Sequence, residues 1–323
     1  MNVRRLISNG AVAGATALSL VTLSACAGTS GAAGRNGGGK LDVVASFYPM
    51  QYLAEQIGGE HVAVTTLTKP GVEPHDLELK PRQASALRQA DYVLYLKGVQ
   101  PAVDDAIAQA GVEHTVDAGT LTELEAHGTA AGGDHDHAHG GNDGHDEHGG
   151  GQDPHVWLDP VKYAEIARGV GKSLEKADPA HAADYTRNTD ALVARLNTLN
   201  TRFTDGLKHT GTRTFITTHA AFGYLAERYG LEQQGIAGLD PESEPSPARI
   251  RELQSVAKQD KVTTVFFETL ASDRTARTLA GDTGLKTDVL DPLEGITDRS
   301  KGDDYIGVME SNLAALRKAL GAQ

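Results

Sequence analysis

Cysteine occurs once in 323 residues, as Cys26. That scarcity excludes disulfides and any metal site built on several thiolates. Positive charge is also in deficit: 30 lysines and arginines face 43 acidic residues, a net charge of −13. A surface of that sign argues against nucleic acid as a partner. Long apolar runs are missing as well. The run from Ala11 to Ala25 follows Arg4 and Arg5, is too short to cross a membrane as a stable helix, and reads as an export signal. Between Gly128 and Gly151 no apolar residue is larger than alanine, so this stretch cannot form a core element. It is rich in something else. His127 just before it and His135, His137, His139, His145 and His148 within it, six of the 13 histidines, alternate with Asp134, Asp136, Asp143, Asp146 and Glu147. Imidazole beside carboxylate makes a low-specificity net for divalent metal; the plainer alternative is a solvated low-complexity loop.

The export signal ends in Leu23-Ser24-Ala25-Cys26, which resembles the lipobox of bacterial lipoproteins. The resemblance implies a signal peptide over 1–25, lipidation of Cys26, and a chain anchored to the extracytoplasmic face of the cell membrane. Residues 26–40, almost all Gly, Ala, Ser, Thr and Asn, form a flexible tether.

From Leu41 strand-like and helix-like segments alternate, which predicts an α/β protein of parallel sheets with crossover helices. Strands are expected over 42–46, 62–67, 91–96 and 114–117, with helices over 49–57, 81–89 and 101–109. A second run follows, with strands over 213–217, 231–236, 262–267 and 286–290 and helices over 220–229, 247–259, 273–280 and 304–320. Between the two runs, Asp159 and Pro160 have the character of an N-cap and a first helical residue. Past Pro179, Tyr185, Leu192, Leu196, Leu199, Phe203 and Leu207 share one helix face. That long helix serves either as a strut between two halves or as a core helix of one domain. The expected organisation is an N-terminal lobe over 41–178 carrying the histidine-rich loop 127–148, a linking helix over 179–209, and a C-terminal lobe over 210–323.

Four potential metal ligands fall in equivalent places. His75, His155, His219 and Glu294 each follow the carboxyl end of a predicted strand, the edge where open α/β sheets bind ligands. Two from each half would meet in the cleft between the lobes. Three imidazoles and one carboxylate suit Zn(II) better than Mg(II) or Ca(II), which want mostly oxygen; copper and nickel stay open on affinity alone. Taken singly, each histidine is more often structural. Glu294 is preferred over Asp291 as the carboxylate: Asp291 is placed to cap its turn, and Gly295 would let the backbone turn Glu294 toward the cleft. Glu268 is expected behind a histidine, orienting it.

Gly71-Val72-Glu73-Pro74-His75-Asp76, Asp153-Pro154-His155-Val156-Trp157-Leu158-Asp159-Pro160, Thr218-His219-Ala220-Ala221-Phe222-Gly223-Tyr224 and Asp291-Pro292-Leu293-Glu294 together resemble the zinc-binding solute receptors of bacterial metal ABC importers. The resemblance implies two lobes joined by a rigid helix, a metal ion in the cleft, and delivery to a membrane permease by a monomeric, non-enzymatic receptor. Its three histidines correspond to His75, His155 and His219. The fourth position corresponds more loosely to Glu294, with Asp291 or water as alternatives. A manganese receptor of the same family, a lipid-anchored metal buffer or adhesin, and a zinc hydrolase are the competing functions. The hydrolase needs an open coordination position, which four protein ligands deny it.

Overall fold

A computed structural model describes residues 39–127 and 152–322. The expected export signal, Cys26, most of the expected tether and the tract histidines from His135 to His148 lie outside the described residues. The first half comprises β1 (Leu41–Ala45), α1 (Tyr48–Gly58), β2 (Val62–Thr66), α2 (Pro81–Gln89), β3 (Tyr92–Tyr95), α3 (Pro101–Ala110), β4 (His114–Asp117) and α4 (Pro160–Ala177). After α5 (Ala182–Leu207) come β5 (Thr214–Thr217), α6 (Gly223–Arg228), β6 (Glu232–Gly235), α7 (Pro247–Gln259), β7 (Thr264–Phe267), α8 (Arg274–Thr283), β8 (Lys286–Val289) and α9 (Tyr305–Leu320).

Local chemistry sets the helix starts. Proline opens α2, α3, α4 and α7, where its missing N–H costs nothing and its fixed φ suits the first turn. Asp159, Ser246 and Asp304 cap α4, α7 and α9 by accepting backbone N–H groups of the first turn. Helix α6 departs from expectation. The helix expected from position 220 begins only at Gly223, because the backbone N–H of Ala220 donates to Gly238 O at 2.8 Å. The segment after β5 is therefore tied to the neighbouring loop instead of coiling at once.

The strands form two parallel four-stranded sheets, ordered β2-β1-β3-β4 and β6-β5-β7-β8. The same order occurs twice, and in each sheet the chain direction of winding reverses beside the first strand, β1 or β5. At such a point the loops leaving the carboxyl ends diverge and open a crevice. Both faces of β1 are covered, as a parallel sheet requires: Val43 and Ala45 join the main core, while Val44 joins a smaller cluster under α2 and α3. A second small cluster packs β5 and β7 against α7 and α8.

The main core is continuous through both halves, running from Leu41 to Leu320 and including α4, α5 and α9. Every residue of the predicted α5 stripe, from Tyr185 to Leu207, is buried. The helix is shorter than its pattern indicated. Pro179–His181 is a 3-10 turn, and the α-helix of 26 residues spans about 39 Å. Trp157 ties the halves beside the cleft: its indole N–H donates to Pro292 O at 2.8 Å, and its own carbonyl accepts from the Tyr305 hydroxyl at 2.6 Å.

Candidate metal centre

The loops leaving β2, β4, β5 and β8 bring His75, His155, His219 and Glu294 together. Their nearest ligand atoms all lie within 4.8 Å of one another. The geometry is focused on one atom: Nε2 of His75, His155 and His219 lies 3.3, 3.2 and 3.2 Å from Glu294 Oε1. His155, His219 and Glu294 are buried, and only the His75 side chain keeps some exposure, 11%. A cavity of about 640 Å³ lined from both halves, by Lys97, Pro101, Pro154 and Asp240 among others, opens onto His75.

Behind two of the imidazoles stand buried carboxylates. Asp153 Oδ1 lies 2.8 Å from His155 Nδ1, and Glu268 Oε1 lies 2.8 Å from His219 Nδ1. An ionised carboxylate only accepts hydrogen bonds, so each Nδ1 carries the hydrogen and each neutral ring turns the Nε2 lone pair into the cleft. Nε2 of His155 and His219 and Oε2 of Glu294 have no hydrogen-bond partner. Lone pairs converging on a buried carboxylate oxygen repel one another unless something positive lies between them. The donor set is that of a borderline divalent ion, three imidazoles and one carboxylate.

Without metal, protons take that role. Burial lowers the His155 pKa, but the hydrogen bond with Asp153 and the nearby Glu294 carboxylate outweigh it and hold the ring above the ordinary histidine value. His219 is held well above it, because Glu268 and Glu294 together overcome the same burial. Burial alone would raise the pKa of Glu294; the charge of His219 and the close approach of all three imidazole Nε2 atoms instead hold it well below the carboxylate range. Glu73, beside them, goes the other way. Burial first, and the Glu294 charge second, push it up to about 9, while its Oε1 accepts the His75 N–H at 3.2 Å.

The backbone explains how each side chain is aimed. Asp153 Oδ1 also accepts the backbone N–H of His155 at 2.9 Å, a turn that fixes carboxylate and ring together. Asp291 Oδ1 accepts the N–H of Leu293 at 2.9 Å, and its Oδ2 accepts the hydroxyls of Thr269 and Ser300 at 3.1 and 3.0 Å. It supports the loop and stays out of the ligand cluster. The turn toward the cleft is made at Leu293, whose φ is +59°, and not at Gly295, whose φ is not positive. A leucine tolerates this left-handed conformation, at about 1–2 kcal/mol, because its side chain is fully buried and Asp291 holds its N–H. Glu268 stands behind His219 as expected. Asp153 was present in the motif but without a role, although an aspartate two residues before a ligand histidine is itself the signal for such a turn.

The chain matches the family described as ZnuA, zinc-uptake complex component A, periplasmic, over residues 43–319. It belongs to that family. Among curated relatives it is 36% identical over 286 residues to the high-affinity zinc uptake system protein ZnuA of Bacillus subtilis, covering 88% of each chain. It is also 36% identical over 286 residues to the zinc-binding lipoprotein AdcA of Streptococcus pneumoniae, covering 87% of this chain and 56% of the relative. The chain thus spans about half the length of that relative. The crystal structure of the Zn(II)-bound ZnuA-like domain of the same AdcA aligns with a TM-score of 0.70 at 33% identity, over 87% of this chain and 99% of that domain. Two parallel sheets with flanking helices and a long intervening helix are therefore the family's architecture as well as this chain's.

Proposed function

We propose that this chain is the zinc-capturing receptor of an ABC importer, holding extracytoplasmic Zn(II) in the cleft through His75, His155, His219 and Glu294 and releasing it to a membrane permease. The observation that carries this reading is the convergence of three imidazole Nε2 atoms, each within 3.3 Å, on one oxygen of a fully buried carboxylate. Membership of a zinc-uptake family and the zinc-related names of its relatives support the choice of ion and argue for a binding protein, not an enzyme. Four protein ligands also leave no vacant position for a hydrolytic water.

Each part of the site has a task in capture. Glu294 neutralises half of the ion's charge where solvent cannot. Asp153 and Glu268 fix the tautomer and raise the basicity of His155 and His219. His75, the ligand at the mouth of the cavity, lies on the route by which the ion enters and leaves. Lipidation at Cys26 would hold the receptor against the membrane beside its permease, with the monomer as the working unit. The test is metal competition on the mature chain: one tightly held equivalent, Zn(II) retained against an excess of Mn(II), supports the reading, and stoichiometric preference for Mn(II) overturns it.

A further inference from the structure

A second cavity, of about 490 Å³, lies outside the cleft, between the end of edge strand β2, the loop that carries His75 and the first turns of α2. Leu67, Leu77 and Ala86 give it apolar walls. Leu67 belongs to the small cluster under α2 and α3, and Leu77 and Ala86 pack against that cluster. Gln83 stitches two of the walls together: its side-chain N–H donates to Leu67 O at 2.7 Å, and its side-chain carbonyl accepts the backbone N–H of Lys80 at 2.8 Å. The concavity is therefore built into the fold. Its volume is that of a small-molecule site, about 300–1,000 Å³. Val72, on the His75 loop, lines it too, and at 39% it is the one exposed large apolar side chain among the described residues.

The charge around this cavity runs against that of the chain. Lys69, Lys80 and Arg82 line it, and none of the three forms an ion pair among the described residues. Asp76 and Glu78 share the lining, which leaves an excess of positive charge on a chain whose net charge is −13. Lys80 and Arg82 also flank Pro81, the first residue of α2, where the helix adds its partial positive end. Apolar walls do not suit a bare inorganic anion, and unpaired cations do not suit a neutral hydrocarbon. We propose that this cavity is a second ligand site, for an organic anion with an apolar body and a single carboxylate or sulfonate head. The site acts on the cleft. Val72, Asp76 and Leu77 bracket His75, so a ligand packed against them holds the loop as it stands, with His75 Nε2 3.3 Å from Glu294 Oε1. By linkage the anion then raises zinc affinity, and zinc raises affinity for the anion by the same factor, about fivefold or more. The site itself does not depend on the transport reading; the coupling rests on the zinc-binding part of it.

The test uses the full mature chain and the probe anilinonaphthalene sulfonate, an anion on an aryl body that fluoresces when apolar surface shields it. The probe should bind the folded chain, and octanoate should displace it about tenfold more effectively than octanol, which lacks the charge. Ala86→Phe fills the cavity from α2 and keeps every charge; Lys80→Gln with Arg82→Gln removes two cations and alters no buried group. Each should weaken probe binding by more than about tenfold, the glutamine pair at an unchanged apo melting temperature. Octanoate should also slow zinc transfer to a chelator by about fivefold in the wild type and leave it unchanged in Ala86→Phe. Probe binding that survives both replacements, or octanol displacing it as well as octanoate does, overturns the site. Zinc transfer at the same rate with and without octanoate overturns the coupling. Absence of a tightly held zinc ion would count against the cleft reading and leave the anion titration to decide this site.

Discussion

Replacing Glu268 by glutamine exchanges one buried carboxylate oxygen for an amide nitrogen at nearly constant volume. Glu268 Oε1 accepts from His219 Nδ1 at 2.8 Å and from the Thr218 hydroxyl, while Oε2 has no hydrogen-bond partner. Glutamine can keep its carbonyl at the first position and put its NH₂ at the second, so what disappears is the charge. A hydrogen bond to a charged group contributes about 1.5–3 kcal/mol and a neutral one about 0.5–1.5 kcal/mol; the difference, about 1–1.5 kcal/mol, is about tenfold in zinc affinity. That matches the lower end of what groups behind metal-bound histidines contribute.

A second effect opposes the first and gives the loss its pH dependence. Burial lowers the His219 pKa, but Glu268 and Glu294 outweigh it and hold the ring well above its ordinary value. Zinc must displace that proton, so wild-type affinity falls as pH drops through the folded pKa of His219. In Glu268→Gln the ring holds its proton less tightly and zinc displaces it more easily. The loss is therefore full, about tenfold, at pH above the folded pKa of His219 and shrinks as pH falls below it. The apo protein has the matching sign. A raised histidine pKa stabilises the fold below the unfolded pKa, and that stability is lost as pH rises through the folded value. The apo melting temperatures of wild type and variant should therefore differ most on the acid side. Competition with a fluorescent chelator across this range measures the affinity. A loss under about twofold at the alkaline end, or one that grows toward acid, would refute the reasoning.

Asp291→Ala removes three hydrogen bonds that hold the loop at Leu293, about 3 kcal/mol in all, and should lower the apo melting temperature by about 5–10 °C. Its zinc affinity should fall less than that of Glu294→Ala, which should lose more than about tenfold because three lone pairs then face no anion; the reverse order in a chelator competition would move the ligand to Asp291. Because Glu73 is pushed up to about 9, it carries its proton at neutral pH, and Glu73→Gln should leave zinc affinity within about threefold there. A loss beyond tenfold by the same competition would make Glu73 a ligand.

The sequence carried the alternation of strands and helices because proline and capping residues mark the helix starts and because buried parallel strands read as short apolar runs. It carried the four cleft residues because each follows a strand at the edge where ligands gather. It did not carry how Glu294 is aimed. Gly295 drew attention as the flexible position, whereas the left-handed turn sits at Leu293, whose burial and whose hydrogen bond to Asp291 appear only once the chain is folded. Nor could spacing reveal that Asp153 faces two histidines, since residues 128–151 separate His127 from Asp153 in the sequence. The meeting of Glu227 with His127, 100 positions apart, is likewise a product of α6 docking beside the first half.

The central claim, that one zinc ion is held by His75, His155, His219 and Glu294, is tested most directly by anomalous diffraction on either side of the zinc absorption edge from crystals of the zinc-loaded mature chain. The account predicts a dominant peak in the cleft, bonded to Nε2 of the three histidines and to a carboxylate oxygen of Glu294 at about 2.0–2.2 Å. A dominant peak elsewhere, or a cleft peak with water in place of Glu294, would contradict it.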